Sequence, residues 1–293
     1  MLSHQELVLF CEQRMQKGSK SFSFASKIFS KETYQDVLML YSWCRYADDV
    51  IDGQELGFHQ SIPGDQKTFE ELKFKTIEAF QKGDDSNPIF QAFHYVMKKY
   101  SIPIDYPLDL LKGMQWDAEG RDVKTEEELL LYCYYVAGVV GLMMTHIMGT
   151  KSSEAFPFAQ SMGNAMQLTN ISRDIVTDAR VKRCYIPKTW LKELNLTILD
   201  LLNPIHEGKI KSLSTRLLDL ADFYYQEGDK GLKYLSFQSA FTIASARFIY
   251  WKIGDKIRHE KNYPMSKRVG TSKMEKIFLI VKAFFLTLKT RIR

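Results

Sequence analysis

The sequence predicts an all-α protein folded as a single domain, and three observations lead there. Its 293 residues, 45% of them hydrophobic, lie near the upper size for one core and are apolar enough to fill it. Only eight prolines interrupt the chain, and between them apolar residues recur at three- and four-residue spacing over stretches longer than strands run. No repeat, composition shift or low-complexity linker divides it.

Taken in order, the periodicity predicts helices over residues 3–17, 31–52, 66–81, 88–100, 107–118, 126–148 and 155–180. Further helices are expected over 194–202, 206–234, 239–261 and 273–291. Residues 53–64, GQELGFHQSIPG, read as a surface loop directly after an acidic motif, placed to act as a flap.

Charge and cysteine usage narrow the function. The net charge of +5, from 40 Lys+Arg against 35 Asp+Glu, comes without a dense basic run. It gives little support to nucleic-acid binding and suits a small anionic substrate or an anionic membrane surface. Cys11, Cys44, Cys133 and Cys184 form no C-x-x-C pair, so neither a zinc site nor a disulfide framework is indicated, and a reducing cytoplasm fits. The amino terminus lacks the order of a signal peptide, and nowhere do 18 uncharged apolar residues run together. A cytoplasmic chain, soluble or peripherally attached to a membrane, is expected.

Residues 37–52, VLMLYSWCRYADDVID, put Asp48 and Asp52 four apart on one helical face with Asp49 beside them. Alone, such a stripe reads equally well as a solvated helix end. The second stripe shifts the balance. In residues 167–179, QLTNISRDIVTDA, Asn170, Asp174 and Asp178 recur every four positions, and Gln167 extends the stripe a turn back. Like charges at that spacing cost about 0.2–0.5 kcal/mol per pair, so a compensating cation is expected. Mg²⁺ fits, because it takes oxygen ligands and favours one or two carboxylates together with substrate phosphate oxygens; Mn²⁺ is the alternative ion. Facing each other across a bundle, the two stripes would hold Mg²⁺ ions and, between them, the diphosphate of an allylic substrate. Arg45, Arg173, Lys182 and Arg183 stand where that diphosphate needs cations. For any single arginine the competing account is an intrahelical salt bridge, Arg45 to Asp49 for example.

These residues make the chain resemble the squalene/phytoene synthase family, and within it most nearly the bacterial phytoene synthases. The resemblance spans nearly everything from Gly18 to Tyr250. It is carried by GSKSF (18–22), LMLYSWCRYADDVID (38–52), YCYYVAGVVGLMM (132–144), QLTNISRDIVTDA (167–179) and RCYIPKTWL (183–191), in the family order. It implies an all-α isoprenoid-synthase bundle with a central cavity, and it assigns Asp48, Asp49, Asp52, Asn170, Asp174 and Asp178 to Mg²⁺ and diphosphate. Ser19, Ser21, Tyr41, Arg45, Gln167 and Arg173 would bind the diphosphates or line their chamber, and Phe22, Val136, Gly138 and Gly141 would border the prenyl tails. Read alone, Ser19 and Ser21 are helix-capping residues and Gly138 and Gly141 close-packing glycines. The chain departs from the family pattern at Lys182-Arg183, where relatives often carry Gly-Arg, and at Thr177, where an acidic residue is common.

The implied reaction joins two geranylgeranyl diphosphates head to head through prephytoene diphosphate to phytoene, with no nicotinamide cofactor. Arg45, Asp48, Asp52, Asp174 and Asp178 would act in the ionisation. Phe22, Tyr41, Tyr132 and Tyr250 are candidates to face the cations, with Tyr250 as readily plain core. Released pyrophosphate or a tyrosine hydroxyl would be the base. A C30 enzyme using farnesyl diphosphate, a non-catalytic assembly protein on the same fold, and a class I terpene cyclase are the competing readings. Ser26 and Leu38 are expected along the prenyl channel, or else packed in the core. The tail, 273–293, interleaves apolar and basic residues and reads as a lipid-contacting or a core-covering helix.

Overall fold

The computed structural model describes residues 2–18, 26–53, 66–83, 86–150 and 152–292. Ser19, Ser21, Phe22, the side chain of Asp52 and the loop expected as a flap lie outside that set. Helices α1 (His4–Gly18), α2 (Lys31–Asp52), α3 (Gln66–Lys82), α4 (Pro88–Lys99) and α5 (Asp105–Ala118) form the first part of a bundle. They are followed by α6 (Glu126–Ile147). The remainder comprises α7 (Ala155–Arg180), α8 (Lys188–Glu193), α9 (Glu207–Asp229), α10 (Phe237–His259) and α11 (Lys273–Ile292). No strand occurs among the described residues.

Local chemistry sets the ends. Thr33 N–H donates to Ser30 Oγ at 3.2 Å, Ile89 N–H to Asn87 Oδ1 at 2.9 Å, and Ser239 N–H to Ser236 Oγ at 3.2 Å; each cap satisfies an N-terminal amide that the helix leaves over. Helix α2 stops at Gly53, whose φ of 62° lets its N–H turn back to Asp49 O.

The expected helix over 194–202 is replaced by α8, which starts directly after Pro187, and a short 3₁₀ turn at Leu199–Leu202. Pro187 sets the entry, and the chain bends between them at Asn195, whose φ is +51°. Helix α6 also differs from a regular helix: Tyr134–Gly138 form a π turn. There α6 meets α7 backbone to backbone, and a Cβ on Gly163 would lie 2.4 Å from the Ala137 carbonyl oxygen.

Two large apolar clusters and a smaller one, around Leu232, Ala244 and Ala283, fill the molecule. One joins α1, α2, α4, α5 and the end of α6 around Trp43, Phe90 and Phe93. The other joins α6, α7, α8, α9 and α10 around Trp190, Tyr225 and Ile257. Helices α7 and α9 run antiparallel, with Ser172 Oγ 2.7 Å from Ser214 Oγ near one end and Gly228 on Met162 near the other. By length and composition α6 could cross a membrane, but 50% of its most apolar window is buried inside the protein, and it serves as a core helix.

Candidate active site

The end of α2 carries the first acidic group. Arg45 spans both described carboxylates, with Nη1 2.8 Å from Asp48 Oδ2 and Nη2 2.9 Å from Asp49 Oδ1. Asp49 is 5% exposed and also meets Arg14 at 3.7 Å, so it is turned inward, while Asp48 stays open to solvent. The salt bridge from Arg45 to Asp49 is thus formed. A helix C-terminus carries partial negative charge, and the last turn of α2 has no basic residue, so the carboxylates there add to a potential that a cation would relieve. The buried Nε of Arg45 has no acceptor among the described residues, which suits an anionic oxygen. Tyr41 is half-buried near Arg45, and burial pushes its hydroxyl up to about 12.

The second group sits at the end of α7. Arg173 reaches both oxygens of Asp174, at 2.9 and 2.5 Å. Arg268 does the same at 2.9 Å each. Burial works against the Asp174 carboxylate, yet the two guanidinium groups outweigh it and hold its pKa below the usual value. One turn on, Asp178 behaves oppositely: burial, then the charges of Asp174 and Asp117, push it up to about 7. Asp117 accepts from the hydroxyls of Tyr132 at 2.9 Å and Tyr185 at 2.8 Å, and those two rings stack at 4.6 Å.

This donor set fits divalent cations. An aspartate half-protonated near neutrality beside two further carboxylates marks a place short of positive charge. Among the described residues no three acidic, histidine or cysteine side chains converge closely enough to ligate one ion, so an ion here would need oxygens from beyond these side chains.

Between the clusters lies a cavity of about 290 Å³, with Gln167, Asn170 and Tyr250 at the acidic end and Phe158, Leu232 and Leu235 at the other. From Asn170 to Ala155 it follows α7 for about 22 Å at the helical rise. Along that side Ala155, Ala159 and Gly163 recur every fourth residue, which keeps the wall thin, and the facing walls are α6, the end of α9 and α10. A narrow apolar tunnel that begins beside carboxylates and arginines is shaped for a chain with a charged head.

Residues 15–275 match the family described as squalene/phytoene synthase. The chain belongs to that family. It is 41% identical over 272 residues to the 15-cis-phytoene synthase of Enterobacter agglomerans, covering 92% of each chain. To the 15-cis-phytoene synthase of Pantoea ananas it is 38% identical over 295 residues, covering 100% of this chain and 96% of the relative. The fold is that of a solved dehydrosqualene synthase bound to ligand, with a TM-score of 0.88, 26% identity and 98% of each chain covered. The squalene synthase of Alicyclobacillus acidocaldarius shares the fold at a TM-score of 0.77 and 21% identity. The all-α isoprenoid-synthase bundle is therefore the architecture of this family member.

Of the residues singled out from sequence, Val136, Gly141, Gln167, Asn170 and Tyr250 line the cavity. Asp48, Asp49 and Arg45 form one polar group; Arg173, Asp174 and Asp178 form the other, with Arg183 close enough to lower the Asp178 pKa. Gly138 is not on the cavity wall: a Cβ there would lie 2.8 Å from Asn164 Oδ1, so its part is close packing. Leu38 and Ser26, expected in the channel, are 0% and 1% exposed and absent from the cavity lining; Leu38 packs in the first core cluster. Tyr132 is buried with its hydroxyl committed to Asp117.

Sequence reasoning missed Asp117 and Arg268. Asp117 reads as an ordinary helix-end acid, and Arg268 lies in an irregular segment with no pattern to mark it. Tyr185 stood inside the RCYIPKTWL motif and could have been singled out there. Lys182 holds φ +61° at the position following the α7 cap. Arg183 N–H bonds Asp178 O at 2.9 Å, and Lys182 N–H bonds Ala179 O at 3.0 Å. That is the paired-bond helix ending that usually carries glycine, so the departure Lys182-Arg183 falls on the one backbone position there that favours Gly.

Proposed function

We propose that this chain joins two molecules of geranylgeranyl diphosphate head to head, through prephytoene diphosphate, to phytoene, releasing both pyrophosphates. The observation that carries this reading is the apolar tunnel of about 22 Å along α7, whose polar end at Gln167, Asn170 and Tyr250 lies beside Arg173, Asp174 and Arg268. The 38–41% identity to phytoene synthases over most of the chain supports it. The C30 reading, with farnesyl diphosphate, is favoured by the fold likeness to a dehydrosqualene synthase at 26% identity, a weaker warrant for product than the closer relatives give.

In this reading Asp48, Asp49, Asp52, Asp174 and Asp178, with Asn170, would hold Mg²⁺, or Mn²⁺ in its place. Bound there, the ions would neutralise the charge developing on departing pyrophosphate. Arg45 and Arg173 bind diphosphate oxygens beside them. In this reading Arg268, whose side chain is 64% exposed, exchanges Asp174 for a phosphate oxygen as the site fills. The first allylic C–O bond ionises, the 2,3 double bond of the second substrate attacks the cation, and a proton leaves to close a cyclopropane. The second diphosphate then departs, the cation rearranges, and a second proton loss makes the central double bond.

The apolar walls keep water from these cations, and the Tyr250 ring offers its face to positive charge. Burial raises the pKa of both Tyr132 and Tyr250, which disfavours their phenolates, and in this reading released pyrophosphate takes the protons. Substrate and product are both greasy, and peripheral contact with a membrane from the cytoplasmic side belongs to the same reading.

The test is pyrophosphate release from geranylgeranyl diphosphate with Mg²⁺, stopped by EDTA. Asp48→Asn and Asp174→Asn should each abolish it while the helical circular dichroism stays. Near-normal turnover in either variant would refute the metal assignment.

A further inference from the structure

Helix α11 is apolar on two opposite sides, and only one of them is covered. Its inner face, Leu279, Ala283 and Thr287, is buried and packs on α10. At about 100° per residue, Met274, Val281 and Phe285 project directly away from that face, with Phe278, Leu288 and Ile277 beside them and Phe284 at the edge of the same band. All seven are exposed, Phe278 and Phe285 by 64% each. A helix that is apolar all round is normally buried all round, and a contiguous exposed band of this kind marks a contact surface.

The rim of the band is basic. Lys282 and Lys289 flank it on one side, Lys273 and Arg291 on the other, and the sole acid of the helix, Glu275, sits on the inner side paired with Lys256 at 3.1 Å. Lys282 lies over the rings of Phe248, Trp251 and Phe278 at 5.8–5.9 Å, its stem along apolar surface and its ammonium at the rim, as a side chain does at a lipid headgroup boundary.

The band also adjoins the far end of the tunnel. Leu232 and Leu235 line that end and share a cluster with Ala283 and Leu286 of α11. Arg291 pins the helix there through hydrogen bonds to the carbonyls of Lys233, at 3.1 Å, and Leu235. Phe237 and Phe241 continue the aromatic surface, each with its ring edge-on to Phe284 at 5.8 Å.

From the opposed faces, the basic rim and this continuity we infer that α11 lies in the headgroup region of a bilayer rich in anionic lipid. Its outer band enters the acyl boundary, and the tunnel's far end, where Leu232 and Leu235 pack with Ala283 and Leu286 of α11, comes to lie on the leaflet side. The docking surface stands on exposure and charge alone; taking the tunnel beside it for a prenyl-chain site rests on the reading proposed above.

The test is flotation of the full chain with phosphatidylglycerol-containing vesicles and with pure phosphatidylcholine vesicles, at low and high salt. Wild type should float with the anionic vesicles at low salt, and Lys282→Glu/Lys289→Glu should weaken this roughly twenty-fold or more. Phe278→Glu/Phe285→Glu should abolish it, with helical content and turnover in detergent micelles unchanged, because neither ring touches the tunnel. Flotation measures no catalysis, so an inactive protein that floats would sink the proposed function and leave this inference standing. Equal flotation of wild type and the phenylalanine variant, no flotation on anionic vesicles, or light scattering showing a dimer that this variant splits would each overturn it.

Discussion

Arg268 closes a two-point ion pair on Asp174 with both contacts at 2.9 Å, across 94 residues of sequence and on the same oxygens that Arg173 already engages. Asp174 is thereby kept ionised in a buried place. If Arg268 moves to phosphate as substrate arrives, Arg268→Gln should lower kcat by about 10²-fold, the usual effect of removing one donor to a developing anion, and leave the melting temperature nearly unchanged. Arg268→Lys should recover part of the loss. A variant with lowered stability and normal kcat would make the pair purely structural.

The Asp178 carboxyl gives a pH signature. Its ordinary pKa is 3.8, and in the fold it is about 7. Between those values the folded state binds more protons than the unfolded one. Its contribution to stability is therefore full below 3.8 and is lost as the pH rises through about 7. Asp178→Asn removes that slope, so the variant should gain on wild type in denaturant titrations as the pH rises from about 4 to about 7. Stabilisation of wild type by Mg²⁺ should grow over the same interval, since the metal takes the ionised form. Parallel stability curves for the two proteins would contradict the assignment.

At the end of α7, Lys182 occupies a left-handed φ of +61° in a turn that aligns Arg183 with Asp178. Lys182→Gly relieves the strain at the expense of a looser unfolded chain, for a net gain of about 0.5–1 kcal/mol. That corresponds to a rise in melting temperature of about 2 °C, read by calorimetry. A fall would mean that the lysine side chain itself holds the turn.

Much of this was legible in the sequence, for identifiable reasons. Helices α2 and α7 appear with the bounds their periodicity predicts, because each is long and its acidic stripe survives to the last turn. The π turn in α6 was not legible, because the apolar period carries no mark of it; it lies where α6 meets Gly163 of α7. Asp117 and Arg268 come to the site from a helix end and an irregular segment, and only tertiary packing brings them there. Leu38 shows the opposite failure. It shares a helix face with Tyr41 and Arg45, but a shared face does not say which neighbour covers it, and here the first core cluster does.

On the function proposed above, chain length is measured along α7. Ala155 lies at the end of the tunnel remote from Asn170, and Ala155→Phe should lower kcat/KM for geranylgeranyl diphosphate by roughly tenfold or more, with a smaller loss for farnesyl diphosphate. Leu38→Trp, which overfills a core position, should reduce stability and both activities alike. Selective loss of the longer substrate in Leu38→Trp, with none in Ala155→Phe, would move the ruler back to α2.

The most direct test is a competition: the purified chain, Mg²⁺ and equal amounts of geranylgeranyl and farnesyl diphosphate, with the hydrocarbon product identified by mass spectrometry. The account predicts the C40 hydrocarbon phytoene as the main product, with pyrophosphate released and no reductant required. A C30 hydrocarbon made from farnesyl diphosphate while the longer substrate is left unused would contradict it.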